Sequence, residues 1–222
     1  MNNNEKASAA ATWLGIAIAL CAIPLIVNVF RVSFPASTAT TVARELTMFA
    51  VAGLLIWLVL TRERQSLASV GLMPAPAGRV ALWTLIGIVG CVAALAAGLL
   101  MVKMFGLRFG SEPGTVAAKY PMWVTVLIVL RAGVVEELFY RGYAIDRITR
   151  LSGSRALGFI VPLFMFAGFH YKQGAGGVLV ALLMGAVLSV LFLWKRNLAA
   201  NMLAHFLIDF VPNVVLPLIS PD

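Results

Sequence analysis

The sequence predicts an all-α, polytopic transmembrane helix bundle of about seven spans, or eight if the loop before the fourth helix contributes a partial one. Three observations carry this. Of 222 residues, 61% are hydrophobic and 12% charged, and the mean hydropathy is +0.96, well outside the range of soluble domains. Uncharged runs lie between Lys6 and Arg31, Arg79 and Lys103, and Gln173 and Lys195, each long enough to cross hydrocarbon, for which about 20 helical residues suffice. The basic residues behind the net charge of +8 sit in short connections between apolar runs, not in a stripe or tail. Membrane topology and anionic headgroups explain them, and nucleic acid is not an expected partner.

A polar lead, Asn2 to Lys6, precedes a first helix from about Ala9 to Phe30, with Pro24 able to kink it. This run is longer than a signal-peptide apolar region and has no small-residue cleavage site after it, so it reads as the first span. The second helix, about Val42 to Thr61, carries Arg44 and Glu45 near its start, where long side chains reach the interface. Arg62 to Arg79, broken by Pro74, Pro76 and Gly78, reads as a surface connection whose Leu67, Val70 and Leu72 rest on the membrane. The third helix, about Val80 to Val102, contains a small-residue tract at positions 93–98 suited to close helix packing. Lys103 to Pro121, with Gly106, Gly110, Pro113 and Gly114, is a loop. Cys21 and Cys91 lie in apolar spans without metal-ligand spacing and read as buried thiols.

The fourth helix, about Met122 to Ile145, is apolar except for Arg131 and the run Glu136-Glu137-Leu138-Phe139-Tyr140-Arg141. One carboxylate in hydrocarbon costs about 2.5–3.5 kcal/mol on insertion scales, so two adjacent ones imply a use. Asp146 to Arg155 is a charged connection. A short fifth helix, about Ala156 to His170, holds Pro162; the glycine-rich string from Lys172 to Gly177 breaks it. A sixth helix spans about Val178 to Trp194, and Lys195-Arg196-Asn197 turns into a seventh, about Leu198 to Leu216, bearing His205 and Asp209. No internal repeat or separate soluble domain is visible, and residues 1–222 read as one transmembrane domain with its motif core at about 130–210.

With Arg131 set aside as intramembrane, a cytoplasmic N-terminus leaves ten Lys/Arg inside and six outside, the bias expected of the positive-inside rule. The expected localisation is therefore integral and multi-pass, in a prokaryotic cytoplasmic membrane with the N-terminus inside, and with a wet cavity opening to the cytoplasmic side.

Residues four apart share a helix face, so Glu137 can pair with Arg141, and His205 points with Asp209. Counting at about 1.5 Å per residue from the charged end that helices four, five and seven share, Glu136 lies roughly 15 Å deep, His205 roughly 13 Å, Asp209 roughly 20 Å and His170 roughly 22 Å. All four fall in one slab about 10 Å thick. A carboxylate and a histidine facing one cavity can activate water for attack on a carbonyl, and a second histidine can stabilise the oxyanion. That is the chemistry of peptide hydrolysis without a serine or cysteine nucleophile. The competing structural reading pairs Glu137 with Arg141, Glu136 with Arg131 or Tyr140, His205 with Asp209, and His170 with a loop carbonyl.

These residues carry a resemblance. Glu136-Glu137 with Arg141, then Phe166 with His170, then His205 with Asp209 resemble the three motifs of the CAAX-processing and bacteriocin-processing (CPBP, Abi) intramembrane proteases, related to the prenyl-protein endopeptidase. The resemblance covers about Leu130 to Phe210. It implies an intramembrane endopeptidase in which Glu136 and His170 activate water, His205 and Asp209 stabilise the oxyanion, and Glu137 and Arg141 hold the site together. Where prenyl-protein members have asparagine in the last motif this chain has Asp209, which as a carboxylate cannot donate to an oxyanion. Glu136, His170, His205 and Asp209 would also make a four-ligand zinc set; the preferred reading requires no cofactor. Expected partners are membrane lipid and a peptide or protein substrate, free or membrane-anchored. Competing functions are a non-catalytic peptide-binding or immunity protein and a proton-coupled transporter, the latter disfavoured by the lack of inverted halves.

Overall fold

The computed structural model of the chain describes residues 3–110 and 120–219, and every regular element among them is helical. Helix α1 runs Asn3–Ser33, starting earlier than the polar lead suggests. Ser37 accepts a hydrogen bond from the Thr40 amide at 3.1 Å and so caps α2, Thr38–Trp57, which continues as a π-helical turn, Leu58–Arg62. A 3-10 turn at Leu67–Val70 leads to α3, Ala77–Met104. Part of the expected loop before the fourth helix, including Pro113 and Gly114, lies outside the described residues.

The motif-bearing helix is one continuous rod in three parts: α4, Met122–Arg131; a π-helical stretch, Ala132–Ile145; and α5, Asp146–Ser152. The expected charged connection is thus helical as far as Gly153, whose φ of 67° ends it. Ser154 caps α6, Arg155–Phe169, and a 3-10 turn at His170–Gln173 passes into α7, Gly174–Lys195. Of the glycine-rich string only Gly174, at φ 75°, breaks the helix; Ala175 to Gly177 are its first turn. Asn197 caps α8, Leu198–Phe210, followed by a π turn, Val211–Val215, and α9, Leu216–Ile219.

Five helical stretches among the described residues are long and apolar enough to cross a membrane: Ala9–Ser33, Thr38–Arg62, Ala77–Met104, Arg155–Lys195 and Leu198–Ile219. Two features separate this from the expected count. The rod from Met122 to Ser152 is too charged to qualify on composition. The stretch Arg155–Lys195 folds back on itself at Gly174, since the Phe166 ring stands 2.9 Å from where a Cβ on Gly185 would be. Exposed apolar side chains such as Trp13, Leu85, Val89, Phe164 and Trp194 line the bundle's outer faces, as lipid contact requires.

The π stretch is the axis of the core. Val135, Phe139, Tyr143 and Ala144 are fully enclosed, packed with Ile23 of α1, Met48 and Leu55 of α2, and Leu198 of α8. Glycines permit the tightest approaches: a Cβ at Gly133 would stand 2.9 Å from the Met202 carbonyl and the Phe206 amide, bringing α8 directly onto the stretch.

One end of the bundle is stitched by charge. Arg147 donates to Glu63 Oε2 through Nη2 at 2.6 Å and Nε at 3.0 Å, to Asp146 at 2.7 Å and to Ser69 at 3.0 Å. Arg196, at the α7–α8 turn, donates to Asp146 and to the Ser69 carbonyl, each at 2.9 Å. The connection after α2 is therefore bound under the bundle: Val70, expected to rest on the membrane, is fully enclosed by protein. We call this the basic end. The α1 N-terminal half reaches it too, because Tyr143 donates to the Thr12 carbonyl at 3.3 Å and to Glu63 at 2.5 Å.

Candidate active site

The π stretch presents two carboxylates to different surroundings. Glu137 is fully enclosed; its Oε1 accepts from Arg141 Nη1 at 2.7 Å and lies 2.8 Å from His205 Nδ1, and its Oε2 accepts from Asn201 Nδ2 at 3.2 Å. Arg141 also donates to the Gly185 carbonyl at 3.2 Å and to Ser189 at 3.3 Å, and its guanidinium covers the Phe166 ring at 4.2 Å. Four elements are thereby locked together: the π stretch, α6, α7 and α8. Glu136, only 4% exposed, instead faces a cavity and accepts from Arg131 Nη1. Five residues separate that pair. The wider turn of a π-helix, with its i to i+5 register, brings such positions together where an α-helix holds them apart.

That cavity has a volume of about 350 Å³, and Glu136, His170, His205 and Asp209 all line it. Glu137 and Arg141 lie behind it. His170, in the turn after α6, has Nδ1 2.9 Å from the Phe166 carbonyl; that contact requires Nδ1–H as donor and leaves Nε2 as an acceptor. His205 has Nδ1 on Glu137 and Nε2 3.6 Å from Asp209 Oδ2, beyond hydrogen-bonding reach. The Phe166 ring sits between the histidines, its centroid 4.9 Å from that of His170 and 6.2 Å from that of His205. Of the neighbours expected on the structural reading, Glu137 with Arg141 and Glu136 with Arg131 are paired, while His170 bonds a carbonyl of helix α6 and not of a loop; the cavity is present as well.

A zinc set fits less well. Among the described residues no group of three or more His, Cys, Asp or Glu is close enough together to hold a metal ion, and one of the two Glu136 oxygens already accepts from Arg131.

The cavity lies toward one end. Its lining runs from Glu136, Leu188 and His205 to Asn28, Lys172 and Gln173. That end also holds the residues after α3, where the Gly110 amide donates to the Gln173 carbonyl at 2.7 Å. It is opposite the basic end, where the N-terminal half of α1 lies. With the cavity at this end, a cytoplasmic N-terminus would place it on the side away from the cytoplasm, against the expected cytoplasmic opening. The depth count contained the reason: roughly 20–22 Å from the charged end is already past the middle of a core about 30 Å thick.

The sequence reading missed two contributors. Asn201, four residues before His205, holds Glu137 and the Leu188 carbonyl; its place on the His205 face was the available signal. Glu45, expected to reach the interface, is fully enclosed and accepts from Arg131 Nε at 2.6 Å. Matching depth would have found it, since Glu45 is about 10 Å into α2 and Arg131 about 14 Å into α4 from the same end.

Residues 118–211 match the family model described as Type II CAAX prenyl endopeptidase Rce1-like. The matched segment, less than half of the chain, is similar to this family. The Rce1-like segment contains all seven motif residues, from Glu136 to Asp209, together with Asn201; Glu45 and Glu63 lie outside it. No curated protein and no solved structure matches the chain.

Proposed function

We propose that this protein is an intramembrane endopeptidase that hydrolyses a peptide bond of a membrane-associated peptide or protein, with residues 1–222 acting as one transmembrane domain. The observation that carries the proposal is the convergence of Glu136, His170, His205 and Asp209 on one cavity within an Rce1-like segment. The rod from Met122 to Ser152 and the folded-back pair α6 and α7 complete seven membrane-embedded passes, the charged rod being sheltered by its neighbours.

Glu136 and His170 hold and deprotonate the attacking water. The oxygen of Glu136 not held by Arg131 faces the water from one side, and His170 Nε2 accepts from the other. Attack on the scissile carbonyl places negative charge on its oxygen. A His205 ring protonated on both nitrogens keeps Nδ1–H on Glu137 and aims Nε2–H at that oxyanion. Asp209 acts through His205, steadying the ring, and does not itself donate. The proton taken from water then passes to the leaving amine. No resident metal is needed in this scheme.

The decisive measurement is cleavage of a membrane-anchored reporter peptide by purified protein in liposomes. Glu136→Gln and His170→Ala each lower the rate about 10²- to 10⁴-fold with normal insertion. Parental rates in both variants would end the assignment. Chelation leaves the rate unchanged, and a loss restored by added zinc would replace this scheme with a metal-dependent one.

A further inference from the structure

Glu45 is a fully enclosed carboxylate on α2 that the hydrolytic scheme does not use and that lies outside the Rce1-like segment. Its Oε2 accepts from Arg131 Nε at 2.6 Å, and its Oε1 accepts from Arg44 Nε at 2.8 Å and Nη2 at 2.6 Å. Arg131 in turn donates through Nη1 to Glu136 Oε1. Arg131 and Glu136 line the cavity and Glu45 does not.

A guanidinium is planar, with its donors in a rigid fork. Held only through Nη1, it could swing about its long stem and carry the Glu136 carboxylate with it. A second contact through Nε, from a carboxylate on a different helix, fixes the plane of the fork. Once that plane is fixed, so is the Oε1 end of Glu136, and with it the direction in which the other oxygen faces the cavity. Burial makes an incidental pairing improbable on energetic grounds, because an enclosed carboxylate is tolerated only when well partnered.

We propose that Glu45 is a positioning residue for hydrolysis, which sets the aim of Glu136 by fixing Arg131; the proposal rests on the role given to Glu136 above. α2 thereby becomes part of the catalytic apparatus although it contributes no group to the cavity wall.

The test is a double-mutant cycle in liposomes on the anchored reporter, with kcat and KM measured separately. Glu45→Gln lowers kcat about 10- to 100-fold, the scale expected when a reacting group is misplaced by about an ångström, and leaves KM within about twofold. Arg131→Gln lowers kcat at least as much, and the double variant Glu45→Gln/Arg131→Gln matches Arg131→Gln alone, because Glu45 acts only through Arg131. If Glu45→Gln does not insert, Glu45→Asp keeps the charge with a shorter reach and gives a partial loss in kcat. A parental kcat in whichever Glu45 variant inserts, or losses that multiply in the double variant, overturns the proposal. If Glu136→Gln is inactive while the Glu45 variants are unaffected, this inference alone fails; if Glu136→Gln is itself active, the hydrolytic reading fails first.

Discussion

Adjacent glutamates share one helix and meet different fates. Glu137 is held by Arg141, Asn201 and the His205 ring, so it has little freedom to serve as a base, whereas Glu136 is held by Arg131 alone among the described residues and faces the cavity. This division was legible in the sequence for Glu137, because i to i+4 pairing with Arg141 needs only helical periodicity. It was not legible for Arg131 and Glu136, since nothing in the residue pattern announces a π-helical register. The histidines can be ranked at the same scale. His205→Ala is expected to lower cleavage about 10²- to 10³-fold, as for loss of an oxyanion donor. Asp209→Asn should cost less than about tenfold, because its 3.6 Å separation from His205 Nε2 is not a hydrogen bond. Parallel rate measurements check the order, and an Asp209→Asn loss equal to that of His205→Ala would show that the carboxylate acts directly.

Among the elements, the π stretch and α8 must touch for His205 to reach Glu137. Gly133 makes that possible: with Met202 O, Phe206 N and Phe206 Cβ all 2.9 Å from a Cβ there, even alanine forces the two apart. Gly133→Val should cost about 1–3 kcal/mol by overpacking and lower cleavage at least tenfold while Glu136 and His170 are untouched. Thermal unfolding and rate measured together separate the two effects. Most helix boundaries followed from hydropathy, proline and glycine. The exceptions are instructive: Gly176 and Gly177 read as breakers yet lie in α7, where small residues let Arg108 and Gln173 pack closely. Asp146 to Ser152 read as a connection because of its charges, but Glu63, Ser69 and Arg196, all distant in sequence, hold Asp146 and Arg147 within a helix. Contacts that close over such separations leave no local trace in the chain.

The whole molecule has two unlike ends. At the basic end, Arg147 is 2% exposed and binds Glu63, Asp146 and Ser69 together. Arg147→Met leaves two buried carboxylates short of a partner and should destabilise the fold by about 3–5 kcal/mol, as loss of one half of a buried pair does, seen as a lowered Tm. At the other end, Tyr171 is exposed beside the cavity, while Leu151 is exposed near the basic end. In a variant with Cys21 and Cys91 replaced, Tyr171→Cys and Leu151→Cys should react with a membrane-impermeant thiol reagent from opposite sides. With the N-terminus inside, as the positive-inside rule predicts, Tyr171→Cys is expected to label from outside. Labelling of both from one side would contradict the depth ordering of the helices.

Between these ends, the pocket has a floor. Arg141, Glu137, Asn201 and Ser189 fill the bundle below Glu136 with almost no accessible surface. On the hydrolytic proposal the consequence is a blind alley on that side: a polypeptide cannot be threaded past those four side chains toward the basic end, so cut fragments leave without crossing the bundle.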